Sequence, residues 1–382
     1  MRLFHILITF IVFLSGLTHA EISMLWMGSP KFKQWFSNWE VYLLPKGDNW
    51  AKCVPDLEIY WSRNASYPNH CSVALSCILQ ETDEGSKQLL GAIMVLLGAI
   101  PTLLALTSPT VTESALLSME YPSLTFLLAF GSAAVHTSRI MDYVDPLDAI
   151  DTTKRSAKDE PFTRLANSLQ PYRRFIVVIE HILGLAAVVN TIEVTLDLGL
   201  RSVASIDCDR SCWPLSWALV SVFLHLLGVV SFWTTPRGIS PGVEAVNICP
   251  EITAVTDRGI NDILSKPKAS IGHEQIQGDV SSADRRMILY TERPSLWSII
   301  LQYSANGYAI GHVLFGTMVF SSLMFLALVD AIPVIARYHF SAVTCSVISR
   351  YELAVMSQKY RVERVEKVEQ RTRVHIWTRR MR

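Results

Sequence analysis

Long uninterrupted apolar runs constrain this chain more than any other feature. Residues 88–107, 115–135, 174–199, 213–233 and 310–335 are each dominated by aliphatic and aromatic side chains, and each approaches the roughly 20 residues needed to cross a bilayer as a helix. Half of the 382 residues are hydrophobic, and clustering them this way favours lipid over a soluble core as their destination. The expected fold is an all-α membrane protein of about five transmembrane helices with a small disulfide-bearing lumenal N-terminal segment. Lysine plus arginine equal aspartate plus glutamate at 34 each, so no global charge draws the chain to nucleic acid.

Residues 1–20 read as a secretory signal: Arg2, an apolar run from Ile6 to Leu17, and small residues ending at Ala20. A retained signal anchor is the alternative, and either delivers residues 21–87 to the lumen. That segment carries the sequon Asn64-Ala65-Ser66, which makes Asn64 a glycosylation candidate. It also carries Cys53, Cys71 and Cys77, enough for one disulfide with one cysteine left over, and spacing does not choose the pair.

Residues 88–107 form the first expected span, kinked at Pro101, and 115–135 the second, weakened by Glu120 and Pro122 and closing a tight hairpin. Residues 136–172 form a charged, solvated loop. The third span, 174–199, is the most polar, and the fourth, 213–233, is bounded by Trp213 and Trp233 as interfacial anchors. Residues 234–294 return to loop composition. Within 295–336 a short interfacial piece, 296–301, precedes the fifth span, 310–335. The tail 337–382 is arginine-rich and, if helical, carries an apolar stripe at Val362, Val365 and Val368.

Five spans from a lumenal N-terminus put the basic tail in the cytosol, where anionic lipid attracts it. The same count puts the loop after residue 136 in the lumen and Cys208 and Cys212 in reducing cytosol, which conflicts with charge bias and with cysteine usage. Treating the second run as interfacial repairs both but leaves four spans and a lumenal tail.

The stretch LLGAIPTLLAL (96–106) followed by TESALLSMEYPSLTFLLAFGSAAV (112–135) resembles a hairpin of multi-pass integral membrane proteins of filamentous fungi, an uncharacterised family. The resemblance rests on aliphatic positions plus Pro101, Glu113 and Gly131. It implies a membrane hairpin and a fungal source, and carries no reaction, ligand or catalytic residue.

The intramembrane polar candidates lie on the third span. Glu180 and His181 offer either pairing with a nearby arginine or a proton relay with His225 or His312, and Asn190, Glu193 and Asp197 share a helix face. Asp330 is a further possible partner. Gly307 and Gly311 form a small-xxx-small pair suited to close helix packing. Cys208 and Cys212 have CxxxC spacing without the further ligands zinc requires, so a disulfide between them or two free thiols is expected. No nucleophile elbow, zincin helix, P-loop or dinucleotide fingerprint occurs, and no cofactor, metal or catalytic residue is implied. The leading expectation is a non-enzymatic protein of the plasma membrane or endomembranes acting in sensing, scaffolding or membrane organisation. Its expected partners are the bilayer and another protein or copy. A small oligomeric transporter or channel is the alternative, and a membrane hydrolase or transferase the third.

Overall fold

The computed structural model describes residues 31–42, 51–62, 70–137, 147, 150, 160–234, 237–240, 287–291 and 294–364. The signal region, Asn64 and the tail beyond Arg364 lie outside the described residues. The chain divides into two units, Met1–Pro236 with Glu292–Ser357, and Arg237–Thr291 with Gln358–Arg382.

Helix dominates the first unit, and the chain is built as a membrane protein. Glu84–Thr107, Pro161–Arg201, Trp213–Trp233 and Leu328–Lys359 are long and apolar enough to cross a bilayer. The unit begins with α1 (Ser37–Tyr42), α2 (Val54–Ser62) and α3 (His70–Glu81). Then come α4 (Glu84–Gly98), α5 (Ile100–Thr107), α6 (Val111–Leu117), α7 (Pro122–Gly131) and α8 (Glu160–Leu169). The long helices follow as α9 (Arg173–Arg201), α10 (Trp213–Trp233), α11 (Leu296–Ser321) and α12 (Leu328–Lys359).

Side-chain pairs fix how the long helices run. Arg173 meets Glu352 and Thr195 meets Tyr338, so α9 and α12 are antiparallel. Trp217 meets His312 and Ser231 meets Ser298, so α10 and α11 are antiparallel too. The turns after α9 and α11 meet as two short strands, β1 (Val203–Ala204) and β4 (Leu323–Met324), which marks the near end of the bundle. Arg173, Trp233 and Leu296 lie at the far end.

The expected first and second spans are both divided. Pro101 has no N–H to continue the preceding helix, and the chain breaks at Ala99 between α4 and α5. A second break at residues 108–110 precedes α6, which opens on a capping box. The Glu113 N–H donates to Thr110 Oγ1 at 3.0 Å, and the Thr110 N–H donates to Glu113 Oε2 at 2.7 Å. Pro122, tolerated at the first helical turn, then starts α7 after a turn at residues 118–121. Gly98 packs on Ser321 and Val111 on Gly228, so α5 and α6 run in series from the near end toward the far end. The chain then reverses. Ser123 meets His181 and Gly131 meets Ala187, so α7 climbs back parallel to α9. The His136 N–H donates to the Pro109 carbonyl at 3.1 Å, which joins the two ends of the excursion inside the bundle. The expected 115–135 helix is therefore a turn of α6 and a half-length α7 that folds back on itself.

Other boundaries differ as well. The interfacial piece and the first part of the fifth run are one helix, α11, and the run ends in the β4 turn, where Phe325 takes a positive φ of 67°. The remainder of 310–335 opens α12, which continues through the start of the expected tail with Pro333 in its first turns. The charged loop contains α8, whose Ala166 packs on Tyr351 and Ala354.

The N-terminal helices share one apolar core with the bundle. Phe32, Trp39 and Leu57 belong to the same buried cluster as Leu97, Phe325, Trp217 and Tyr338. Phe325 is the hub: its ring meets Trp35 at 5.2 Å and Trp39 at 5.3 Å, both edge-on.

The second unit is a three-stranded sheet in the order β2 (Arg237–Ser240), β3 (Met287–Thr291), β5 (Tyr360–Arg364). β2 pairs antiparallel with β3, and β5 parallel to it with Val362 opposite Leu289. Residues 237–240 and 287–291 of the expected loop and 360–364 at the start of the expected helical tail are strands, so a mostly helical chain carries a small sheet besides. The alternation Tyr360-Arg361-Val362-Glu363 suits a strand, but its partner lies some seventy residues earlier, beyond any local pattern.

Helix contact in the bundle depends on particular glycines. A Cβ on Gly316 would stand 2.3 Å from Trp217 Nε1 and 2.7 Å from Pro101 Cγ, whereas at Gly307 and Gly311 it would meet nothing within 4 Å. The expected packing role of the 307/311 pair thus falls instead to Gly316. Gly316→Ala is expected to destabilise by about 1–3 kcal/mol through overpacking, and Gly307→Ala to be neutral or slightly stabilising through helix propensity. Thermal unfolding in detergent measures both, and equal losses would contradict this assignment.

Candidate functional site

The polar residues of α9 separate into two clusters, with a third group of buried polar contacts where α6 and α7 meet the long helices. At the far end, the guanidinium of Arg173 grips Glu352 with both arms, Nη1 to Oε1 at 2.6 Å and Nη2 to Oε2. Glu352 is fully buried, and a bidentate pair is the geometry in which a guanidinium best offsets the cost of burying a carboxylate. Glu180, one to two turns along the same face, adds a second buried carboxylate whose Oε2 lies 3.8 Å from Arg173 Nη1 and has no hydrogen-bond partner. Tyr121, from the turn before α7, and Tyr351 flank the guanidinium with ring centroids at 5.4 and 5.9 Å. One arginine thus holds α9, α12 and the α6–α7 turn together while serving two carboxylates.

The second cluster lies nearer the middle of α9. Asn190 donates to the Arg337 carbonyl at 2.9 Å and to Ser341 Oγ at 2.8 Å. Arg337 returns bonds to Asn190 Oδ1 at 2.7 Å and Glu193 Oε2 at 2.8 Å. Asn190, Arg337 and Ser341 stand at one end of a groove of about 420 Å³ between α9 and α12, walled by Leu183, Ala186 and Phe340.

The third group surrounds the backbone breaks. His225 accepts or donates with Ser114 Oγ at 2.8 Å, and Trp217 and His312 stack at 5.0 Å while each ring nitrogen bonds the other residue's carbonyl. The carbonyls at the end of α7 find hydroxyls: Thr191 Oγ1 donates to Gly131 at 2.9 Å and Ser221 Oγ to Ala129 at 3.4 Å. These bonds replace water where backbone leaves helical geometry inside the bundle.

The structure does not assemble the relay that joins Glu180 and His181 to the other histidines. His181 bonds Ser123 at 3.1 Å and the Val177 carbonyl at 2.7 Å, while Glu180 turns to Arg173. Asn190 and Glu193 do come together, around Arg337. Asp330 is held by Asn38 at 2.6 Å and joins the N-terminal helices to α12. Sequence reading missed Glu352 and Arg337 because residues 337–358 were assigned to a tail. The signal was a lone carboxylate in the apolar stretch Tyr351-Glu352-Leu353-Ala354.

The cysteines correct two expectations. Cys53 pairs with Cys77, joining α2 to α3, and Cys71 pairs with Cys208, so Cys208 is not bonded to Cys212. Cys212 and Cys345 are free and buried. Among the described residues no three His, Cys, Asp or Glu side chains gather into a metal site. The chain matches no family model, no curated protein and no solved structure.

Lys31 seals the junction between the N-terminal helices and α9. Its Nζ donates to the Ser202 carbonyl at 3.0 Å and to that of Gly199, capping the negative end of α9. Its backbone N–H donates to Tyr60 Oη at 3.1 Å, and Tyr60 donates to Asp209 at 2.9 Å. Burial pushes the Lys31 ammonium down from 10.5 to about 8, opposed by the nearby Asp209 and Cys212. Between those values the unfolded chain carries a proton that the folded chain has lost. The Lys31 contribution to stability therefore rises with pH from about 8 to 10.5 and is constant below that window. Comparing thermal unfolding across this range should show a smaller rise for Lys31→Met than for the unaltered chain, and an identical profile would exclude the linkage.

Proposed function

We propose that the chain is a non-enzymatic integral membrane protein of the secretory pathway or plasma membrane whose lumenal N-terminal helices report on what they contact to the membrane bundle. The observation that carries this reading is the apolar core shared by Phe32, Trp39, Phe325 and Trp217, reinforced by Cys71–Cys208. A layer joined to the bundle in this way passes displacement to the helices instead of moving on a linker. Relationship to the filamentous-fungal multi-pass family and attraction of the basic tail to anionic lipid belong to the same proposal.

In this reading the bilayer is crossed five times: by the broken series within 84–117, and by α9, α10, α11 and α12. The half-helix α7 enters and leaves on one side. Cys71–Cys208 supports this arrangement because it requires residues 71 and 208 to share a compartment, as they do when the five crossings leave the 138–159 segment and the tail on the opposite side. The charged loop is thus cytosolic, and both conflicts of a five-span topology with an ordinary second span disappear.

A transporter or channel is the second reading, favoured by discontinuous helices that meet inside the bundle beside His225 and by the unpartnered oxygen of Glu180.

Two measurements test these readings. Glycan mapping is expected to find Asn64 modified, with single sequons introduced into 138–159 or after Arg382 left unmodified. A glycosylated loop would overturn the topology. For the second reading, Glu180→Gln is expected to change proton or cation flux at least severalfold in proteoliposomes, and unchanged flux would remove it.

A further inference from the structure

The groove between α9 and α12 is open because much of its lining is small. Ala186 and Ala187 on α9, with Ala336, Ser341 and Thr344 on α12, are too short to fill the space between two helices. Its volume of about 420 Å³ falls within the roughly 300–1,000 Å³ of sites that take small organic ligands. From Asn190 to Leu183 it follows α9 for about 10 Å, a narrow apolar track suited to a hydrocarbon chain.

The walls of the groove belong to the surface that meets lipid. Phe340 is 73% exposed and Leu183 43%, and every exposed residue of α9 between Arg174 and Glu193 is apolar. Those two charged residues stand about 28 Å apart at 1.5 Å per helical residue, close to the roughly 30 Å thickness of a bilayer's hydrocarbon core. Glu193 therefore marks the hydrocarbon boundary of the leaflet at the near end. Arg337, bonded to Glu193 at 2.8 Å, stands at the same level. The apolar track runs from that boundary toward the bilayer's middle, which is the path of an acyl chain.

We propose that this groove binds a zwitterionic phospholipid: one acyl chain lies along Ala186, Ala187 and Phe340, the phosphate meets Arg337, and the headgroup ammonium meets Glu193. The charges at the polar end select this class. Arg337 donates to Asn190 through Nε and to Glu193 through Nη2, which leaves Nη1 as a donor to a phosphate oxygen. Glu193 accepts through Oε2, and its side chain is 64% exposed, so Oε1 is open to an ammonium group. An arginine alone favours an anionic headgroup, but a purely anionic lipid here also meets the Glu193 carboxylate. A headgroup that carries both signs is complementary to the pair. Asn190, itself bonded to Ser341 and to the Arg337 carbonyl, holds the guanidinium at the mouth of the groove. The site requires only that α9 and α12 cross the bilayer, and it stands whichever compartment the near end faces.

The test is photolabelling of the full-length protein in phosphatidylcholine vesicles that contain a trace of phosphatidylcholine with a diazirine midway along one acyl chain. Crosslinked peptides are expected to carry label in 183–190 and 336–344 severalfold more often than on the exposed face of α11 at Leu314 and Met318. Unlabelled phosphatidylcholine is expected to displace that label severalfold better than phosphatidylglycerol or diacylglycerol. Ala186→Trp, which fills the groove, is expected to reduce labelling there to the level of α11. Glu193→Gln keeps the groove but removes the carboxylate, and is expected to let phosphatidylglycerol compete at least as well as phosphatidylcholine. Labelling no greater in the groove than on α11 would mean annular lipid only and overturn the site, as would crosslinks between two copies of the chain through 183–190 in place of lipid label. Equal displacement by diacylglycerol, or a headgroup preference unchanged in Glu193→Gln, would overturn the assignment of phosphate and ammonium to the Arg337–Glu193 pair.

Discussion

Irregular backbone inside an apolar bundle must find its hydrogen-bond partners within the protein, and the arrangement of the first unit follows from that requirement. The chain leaves helical geometry at 108–110 and again at 132–136, and the two breaks answer each other through the His136–Pro109 bond. Thr191 and Ser221 supply hydroxyls to the carbonyls that α7 exposes at its end. Without these, each unpaired group would cost about 1–3 kcal/mol, which a half-length helix has little burial to offset. Hydroxyl residues on α9 and α10 are therefore part of the support of α7.

The same economy governs the charges. Arg173 joins three parts of the fold because it is the cation that Glu352, Tyr121 and Tyr351 all face, and the buried carboxyl group of Glu180 stands beside it at 3.8 Å. At the opposite end Lys31 satisfies the last carbonyls of α9 and is bonded through its own backbone to Tyr60 and Trp61 of α2. α9 is thus fixed at both ends by a basic residue, one on the helix itself and one from a distant segment.

What the sequence disclosed was governed by local patterns. α9 and α10 were legible almost to the residue, since a long apolar run bounded by Arg173 or by tryptophans has few other solutions. The runs at 115–135 and 310–335 were legible as apolar but not as broken, because hydropathy does not register a capping box at Thr110 or a turn at Phe325. Pairings across long separations were hidden: Cys71 with Cys208, Arg173 with Glu352, and β3 with β5. Of the polar candidates, Asn190 and Glu193 were found together because they share a helix face. Glu180 was found without its partner because Glu352 was hidden in a segment read as tail.

The parallel pairing of β3 with β5 imposes an order on biogenesis. β3 leaves the ribosome before α11 and α12, yet the strand that covers one of its edges follows α12 directly. During synthesis of those two helices the half-built sheet presents an open edge, the feature most prone to join a neighbouring chain. The last long helix must therefore be complete before the sheet can close, and until then β3 has only β2 beside it.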